Sequence, residues 1–362
     1  MKLLFITRKF PPSTGGMETF AYDLYSSLSK KVDIKLIKWG RSNKFLPLVL
    51  PYFFLRASFL LLKGGIDIIH IQDGVIAPIG YTLSKLFSKP YTVVIHGLDI
   101  TYKNKLFQFI NLRAIKHADF VFCISQAAAD EAIKRGVDIS KLKVIPLGIP
   151  DDNFAPKDLA RKQLVENLEL DNPKCLLLTV GRLVKRKGVE WFIENVLPNL
   201  VKKYPDLIYL VVGEGAYKPN IEMAISKTGL QNNIKMLGKV DDKTLKDLYN
   251  GTDIFVMPNI PVKDDIEGFG RVLLEASLCK LPVVASGIEG IKDAIIDDKN
   301  GKLVEAKNAN AYEEEINKFI KNKDYAKDFG EKSRQYTLNN YQWDTIANEY
   351  IGYYKKLKNI KH

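Results

Sequence analysis

Residues 267–275 read EGFGRVLLE, with Glu267 and Glu275 eight positions apart and a Gly-Phe-Gly step (Gly268, Phe269, Gly270) directly after the first acid. The stretch follows an apolar run, DIFVMPN, and a loop, IPVKDDI, and it is apolar at helical spacing from Val272 onward. Glu267 therefore falls in a strand-to-helix loop, where Gly268 and Gly270 let the backbone approach a ligand closely. Glu275 falls in the first turn or two of the helix, where a carboxylate can accept two hydrogen bonds from a vicinal diol such as a ribose. The helix N-terminus points N–H groups at phosphate or sugar oxygens. A helix-starting acid plus a solvent-facing one is the plainer reading, and the glycine bracket in a strand–loop–helix setting weighs against it.

Three further stretches carry chemistry. In VGRLVKRKGVEWF, Arg182 and Lys187 flank a loop that opens a helix at Gly188. Two cations beside a helix N-terminus can neutralise a diphosphate without a metal. A solvated basic loop is the alternative, and Lys185 and Arg186 read as undirected charge. In KFPPSTGGMETF, Gly15 and Gly16 form a glycine-rich strand-to-helix turn of the kind that presents N–H groups to an anion, or else a plain tight turn. It is neither GxGxxG nor GxxxxGK[ST], so the common dinucleotide and P-loop fingerprints are missing. In YTVVIHGLDIT, His96 ends a buried strand, where a neutral imidazole could bond a substrate hydroxyl or simply be a satisfied core residue. His70 sits at another strand end, while His117 and His362 read as structural or exposed.

The elements that must position these residues alternate. Strands are expected at KLLFIT, DIKLIKW, DIIHIQ, YTVVIH, FVFCIS and LKVIPLG, then at CLLLTVG, IYLVVG, IKMLG, IFVMPN and PVVAS, with amphipathic helical stretches between them. Strand–helix alternation with β-branched strands predicts an α/β fold with two parallel sheets, each covered by helices on both faces. The linker is GIPDDNFAPKD (Gly148–Asp158), rich in Pro, Gly and Asp. Ligands of such sheets bind at the carboxyl ends of the strands, so two facing domains would place a site in the cleft between them.

Composition narrows the class. The chain has 362 residues, 46% hydrophobic and 27% charged, which suits two globular domains and excludes disorder. Three scattered cysteines (Cys123, Cys175, Cys279) fit a reducing compartment with no disulfide framework and no zinc site. The start, MKLLFITRKFPP, reads as a first strand rather than a signal peptide. The run Phe45–Gly65 predicts a helix of about 13 residues from Pro51, about 20 Å long against the ~30 Å a span needs, hence a buried or membrane-surface helix. The net charge is +12; residues 1–155 hold 21 Lys+Arg and 12 Asp+Glu, so the first half carries +9. That asymmetry points to an anionic partner (nucleic acid, acidic lipid or a phosphate-bearing substrate) or to solubility alone.

Taken together these motifs resemble the family 4 glycosyltransferases of the GT-B fold, a retaining, nucleotide-sugar-dependent group that includes phosphatidylinositol mannosyltransferases. The resemblance rests on PPSTGGMETF, His96–Gly97, GRLVKRKG, Gly213–Gly215, EGFGRVLLEA, LPVVAS and NGKLV, in that order along nearly the whole chain. It implies two Rossmann-like domains facing across a cleft: an acceptor-side domain over 1–155 and a nucleotide-sugar domain over 156–344, with a final helix, 345–362, crossing back to the first. It implies that Arg182 and Lys187 hold the donor diphosphate, Glu275 the ribose, and Glu267 with Gly268, Phe269 and Gly270 the donor sugar. Gly16, beside Gly15, would donate its N–H to the diphosphate, and His96 would touch the sugar near the reacting carbon. The base would lie along Leu237–Val240, and Asp99 and Thr101 on the acceptor side.

The resemblance further implies transfer of a hexose to a sugar or lipid-linked acceptor with retention of configuration. The donor is UDP- or GDP-linked, with UDP favoured for want of a guanine signature. No cofactor and no metal is expected, since no Asp-x-Asp sits in a metal-binding context; the acidic pairs at 151–152, 241–242, 264–265 and 297–298 read as loop or cap chemistry. The basic first half suits an acceptor on an anionic membrane surface, with Phe45–Leu62 and 103–120 as contacts, and a cytoplasmic, peripheral location. Arg271, where relatives carry an apolar residue, is expected to tune donor choice or pair with Asp264 or Asp265, and Lys280 to act only at the surface. The rival readings are an epimerase or phosphorylase on the same fold, a nucleic-acid binder (disfavoured for lack of a basic-aromatic module) and an idle partner subunit.

Overall fold

The apolar runs form twelve strands among the described residues, and the central strands of both sheets are buried along all or nearly all of their length. The structure, a computed structural model, describes every residue except 14, 102–103, 150–159, 172, 264 and 361–362. Most of the expected linker, the acidic pair at 151–152, Asp264 and His362 thus lie outside the described residues. The chain divides into two compact units, one of Met1–Gly148 with Tyr341–His362 and one of Ile149–Asn340.

In the first unit the strands are β1 (Lys2–Thr7), β2 (Asp33–Lys38), β3 (Ile68–Ile71), β4 (Tyr91–Ile95), β5 (Phe120–Cys123) and β6 (Leu142–Val144). They pair in parallel in the order β2-β1-β3-β4-β5-β6. The order reverses between β1 and β3, which makes the loops after those two strands the switch point where ligands bind in such sheets. The second unit holds β7 (Cys175–Val180), β8 (Leu207–Val212), β9 (Ile234–Gly238), β10 (Ile254–Met257), β11 (Val283–Ser286) and β12 (Lys302–Val304). Its order, β12-β11-β10-β7-β8-β9, has its switch point between β7 and β10. Eleven strands were legible from composition; β12 is the addition, a three-residue edge strand too short for a periodicity to register.

The apolar stretch after β2 folds as one helix, Leu46–Leu62, of 17 residues. It starts a turn earlier than Pro51 suggests because Pro47 occupies the first turn, where a missing N–H is harmless, and Pro51 is accommodated inside. Val49, Phe53, Ala57 and Leu61 recur every four residues and are buried, while Leu48, Tyr52, Leu55, Phe59 and Leu62 on the remaining surface are exposed. Among the described residues no helix is long and apolar enough to cross a membrane.

The final helix, Trp343–Ile360, belongs to the first unit. Trp343 stacks on Phe20 with ring centroids 5.7 Å apart, and Tyr350 lies 4.6 Å from Phe122. A Cβ at Gly148 would meet the Trp343 ring at 2.5 Å, so only glycine lets the chain pass there. The Tyr354 hydroxyl is 2.9 Å from His70 Nδ1. His70 is therefore not a strand-end functional group: it lies inside β3, wholly buried, bonded also to Thr92 and Gln72. Burial pushes its pKa down to about 4, which keeps the ring neutral.

Candidate active site

The loops after β7 and β10 meet at the switch point of the second sheet. Gly188, in the left-handed region at φ +65, is where they touch: a Cβ there would fall 1.9 Å from the Pro258 carbonyl oxygen. The Ile260 N–H donates to the Arg186 carbonyl at 2.8 Å and stitches the loops together. The glycine is needed both for its backbone angle and for the close approach.

On this frame sits a buried knot of charge. Glu267 Oε2 accepts from Lys187 Nζ at 2.6 Å, from Asn259 Nδ2 at 2.9 Å and from the Arg186 guanidinium. Arg186, Lys187 and Glu267 are all buried, and Arg186 Nε donates to Asp265 Oδ1 at 3.1 Å. Burial alone would raise the Glu267 pKa, but Lys187 and Arg186 beside it hold it down to about 2. Burial pulls the Lys187 ammonium below its usual range, against the attraction of Glu267. The Glu267 N–H donates to the Glu289 carboxylate, and Gly290 N–H donates to the Glu267 carbonyl at 3.1 Å. Arg186 is thus not the undirected charge its sequence setting suggests. Asn259 and Glu289 also belong to the knot; the signal for Asn259 was its place just past a strand at the switch point, while Glu289 lies 22 residues from Glu267 with nothing local to mark it.

Arg182 is exposed and makes no ion pair among the described residues, although its charge reaches Lys187 and helps lower its pKa. Gly270, at φ +86, turns the chain into the helix Arg271–Leu278, where Phe269 and Glu275 are buried. Glu275 Oε2 accepts from the Tyr249 hydroxyl at 2.9 Å and Oε1 from Arg271 Nε at 3.1 Å. Arg271 therefore pairs with Glu275 one turn on, whereas Asp265 is taken by Arg186. Val240, half-buried, follows β9, and the loop after β8 joins it to the others through Leu183 N–H donating to Glu214 O at 3.0 Å and Gly213 N–H to Gly238 O at 2.8 Å. Arg182, Lys187, Val240, Glu267, Gly268, Phe269, Gly270 and Glu275 thus share one edge of one sheet. A cavity of about 230 Å³ lined by Cys175, Asp253, Ile254 and Pro282 lies at the opposite strand ends and touches none of them.

The first unit has its own cluster at its switch point. Arg8, just after β1, reaches Asp73, just after β3, with Nε 3.0 Å from Oδ1. His96, half-buried after β4, has Nε2 3.1 Å from the Gln72 carbonyl oxygen and its ring 5.5 Å from Phe20. A carbonyl only accepts, so Nε2 carries a proton, which leaves Nδ1 as the ring nitrogen able to accept a hydrogen bond. Asp99 accepts from the His96 N–H at 3.0 Å and from the Gly74 N–H at 3.0 Å, fastening the two loops together. Burial raises the Asp99 pKa and Asp73 adds to the effect, while His96 opposes it. Thr101 is buried, with an Oγ1 that has no partner among the described residues. Gly15 precedes the helix Gly16–Ser29; the Glu18 carboxylate folds over this turn, 2.6 Å from where a Gly15 Cβ would be, and is held by Lys9 Nζ at 2.8 Å. No group of three or more His, Cys, Asp and Glu able to hold a metal occurs among the described residues.

Residues 160–336 match the family described as "Glycosyl transferases group 1", and residues 14–153 match "Glycosyltransferase Family 4". Fold and site together define a glycosyltransferase of the GT-B class, an enzyme that moves a glycosyl group from a nucleotide sugar. Over its length the chain is similar to HepE of Anabaena, solved in complex with UDP (TM-score 0.78, 20% identity, 98% of this chain and 100% of that one). It is equally similar to sucrose-phosphate synthase of Thermosynechococcus elongatus (TM-score 0.80, 21% identity, 99% of each chain). In sequence it is 26% identical, over 95% of both chains, to the GDP-mannose-dependent alpha-(1-6)-phosphatidylinositol monomannoside mannosyltransferase of Mycolicibacterium smegmatis. The chain belongs to glycosyltransferase family 4.

Proposed function

We propose that the protein transfers a hexose, with retention, from a UDP- or GDP-linked donor to a sugar or lipid-linked acceptor, without a metal. The observation that carries this reading is the pair of cations, exposed Arg182 and buried Lys187, at the switch point beside Glu267 and Glu275. The bond that breaks joins the sugar's anomeric carbon to the diphosphate, so negative charge develops on the leaving phosphate. Arg182 and Lys187 stabilise that charge, and each tenfold in rate needs about 1.4 kcal/mol of it. The acceptor hydroxyl attacks from the same face and its proton passes to the departing phosphate oxygen.

Glu275 takes the ribose hydroxyls, Val240 lies against the base, and Glu267 with Gly268–Gly270 orients the donor sugar. Gly16 and Gly15 bind the diphosphate through the backbone, and His96 accepts a sugar hydroxyl at Nδ1. Asp99 positions His96 by its backbone, and Thr101 offers its hydroxyl on the acceptor side. The test is isothermal titration of UDP, GDP and their hexose conjugates in EDTA, on the wild type and on Arg182→Ala. Binding of one series that is lost in the variant is expected; no binding of any nucleotide by the wild type would sink the reading.

The acceptor side extends to an anionic membrane surface on the cytoplasmic face. In support, Leu48, Leu55 and Leu62 of the helix Leu46–Leu62 and Leu106, Phe109 and Ile110 of the helix Lys105–His117 are exposed, on the unit that carries most of the net positive charge. Lys44, Arg56, Lys63 and Lys105 are interspersed among them. Co-sedimentation with vesicles containing phosphatidylglycerol, weakened by Leu55→Asp with Leu62→Asp, is the expected result. Equal behaviour with neutral vesicles would refute the role of charge.

A further inference from the structure

Arg186 is left without a role by the reading above, yet it is 5% exposed while its neighbour Lys185 is open to solvent. Its guanidinium is spread between two carboxylates, Nε on Asp265 at 3.1 Å and a terminal nitrogen on Glu267, and its own carbonyl is fixed by Ile260 N–H. Lys187, by contrast, is committed to Glu267 alone among the described acidic residues. A diphosphate that recruits Lys187 has to take it from Glu267. Were Lys187 the only counter-charge, that exchange would leave a carboxylate buried and uncompensated, a heavy penalty that would oppose binding. A point-charge ammonium on a flexible stem suits the partner that moves, and a planar fork held by two acids suits the one that stays.

We propose that Arg186 is a positioning residue for donor binding: a fixed counter-charge that holds Glu267 ionised and in place while Lys187 turns from Glu267 to the donor diphosphate. This rests on the nucleotide-sugar reading of the same site and states how its ion pairs rearrange. Asp265 is the anchor that keeps the guanidinium from following Lys187.

The experiment is isothermal titration of UDP, GDP and ADP on the wild type, Arg186→Met, Glu267→Gln and the double variant, with thermal melts of each. Arg186→Met is expected to weaken the nucleoside diphosphate roughly tenfold or more, a change of about 1.4 kcal/mol per decade. Adding Glu267→Gln is expected to restore affinity to within about threefold of the wild type, because no carboxylate then competes for Lys187. A merely structural Arg186 would give no such rescue. Unchanged affinity in Arg186→Met, or a loss that persists in the double variant, overturns the inference while leaving the donor site standing. No binding of any of the three nucleotides by the wild type overturns the nucleotide-sugar reading and the inference with it. Should Arg186→Met not fold, Arg186→Lys takes its place: one ammonium cannot serve both Asp265 and Glu267, so the same weakening and the same rescue are expected.

Discussion

Lys187 and Glu267, 80 residues apart in sequence, form a buried ion pair of 2.6 Å where the second sheet reverses its strand order. Two loops that leave neighbouring strands at the switch point are thereby tied together by charge.

The pair is asymmetric, and stability should show it. Removing Glu267 leaves Lys187 buried without a counter-charge, which costs about 3–5 kcal/mol for pairs of this kind. Removing Lys187 leaves Glu267 still bonded to Arg186 and Asn259, so a smaller loss of about 1–2 kcal/mol is expected. Urea unfolding of Glu267→Ala and Lys187→Met measures both; equal losses would mean that Arg186 does not support Glu267.

Glu275 is held by Tyr249 and Arg271 before any ligand arrives, so its carboxylate is oriented in advance. Glu275→Gln is expected to weaken UDP or GDP about tenfold and, more tellingly, to erase the preference for the ribo- over the 2′-deoxynucleotide. Competition titration with the two nucleotides reads this directly. A variant that loses affinity but keeps the preference would place the ribose elsewhere.

How much of this was legible in the sequence follows from how local each signal is. Strand β7, the loop Gly181–Gly188 and the Glu267–Glu275 spacing are contiguous in the chain, and residue types alone marked them. Arg186 could not be told from Lys185, because the carboxylates that distinguish them arrive from 79 and 81 residues away. For Arg271 the sequence points to donor choice or to Asp264 or Asp265; the helix decides otherwise, since it sets Glu275 one turn along the same face. His70 looked like a strand-end group until the final helix, 284 residues on, supplied the Tyr354 hydroxyl. For Arg186 and His70 the missing information was a tertiary partner, and for Arg271 it was the phase of the helix.

Gly188→Ala tests the close approach of the two donor loops. The methyl group would overlap the Pro258 carbonyl, and φ +65 is itself unfavourable for alanine, by roughly 1–2 kcal/mol. Pro258 directly precedes Asn259, so the shift needed to admit the methyl would displace a ligand of Glu267. Loss of nucleotide affinity together with a lowered melting temperature is expected; wild-type affinity in a destabilised variant would show that the loops tolerate separation.

Two buried groups contribute to the acid side of the stability profile, in different pH ranges and in different units. His70 is neutral in the fold, with a pKa of about 4 against an ordinary 6.5. Between these values the unfolded chain takes up a proton that the folded one does not. Its contribution is therefore complete above pH 6.5 and falls away as the pH drops towards 4. Glu267 is ionised in the fold with a pKa of about 2 against an ordinary 4.5, so its contribution is complete above 4.5 and is lost as the pH drops towards 2. Each is of order 3 kcal/mol at most. Melting temperatures from pH 7 to 3 should fall first through His70 and then through Glu267. His70→Gln, which keeps a neutral hydrogen-bonding side chain, should flatten the first range and leave the second; Glu267→Gln should do the reverse. If His70→Gln leaves the profile between pH 6.5 and 4.5 unchanged, another group governs that range, and the Tyr354–His70 contact is not what makes the first unit sensitive to acid.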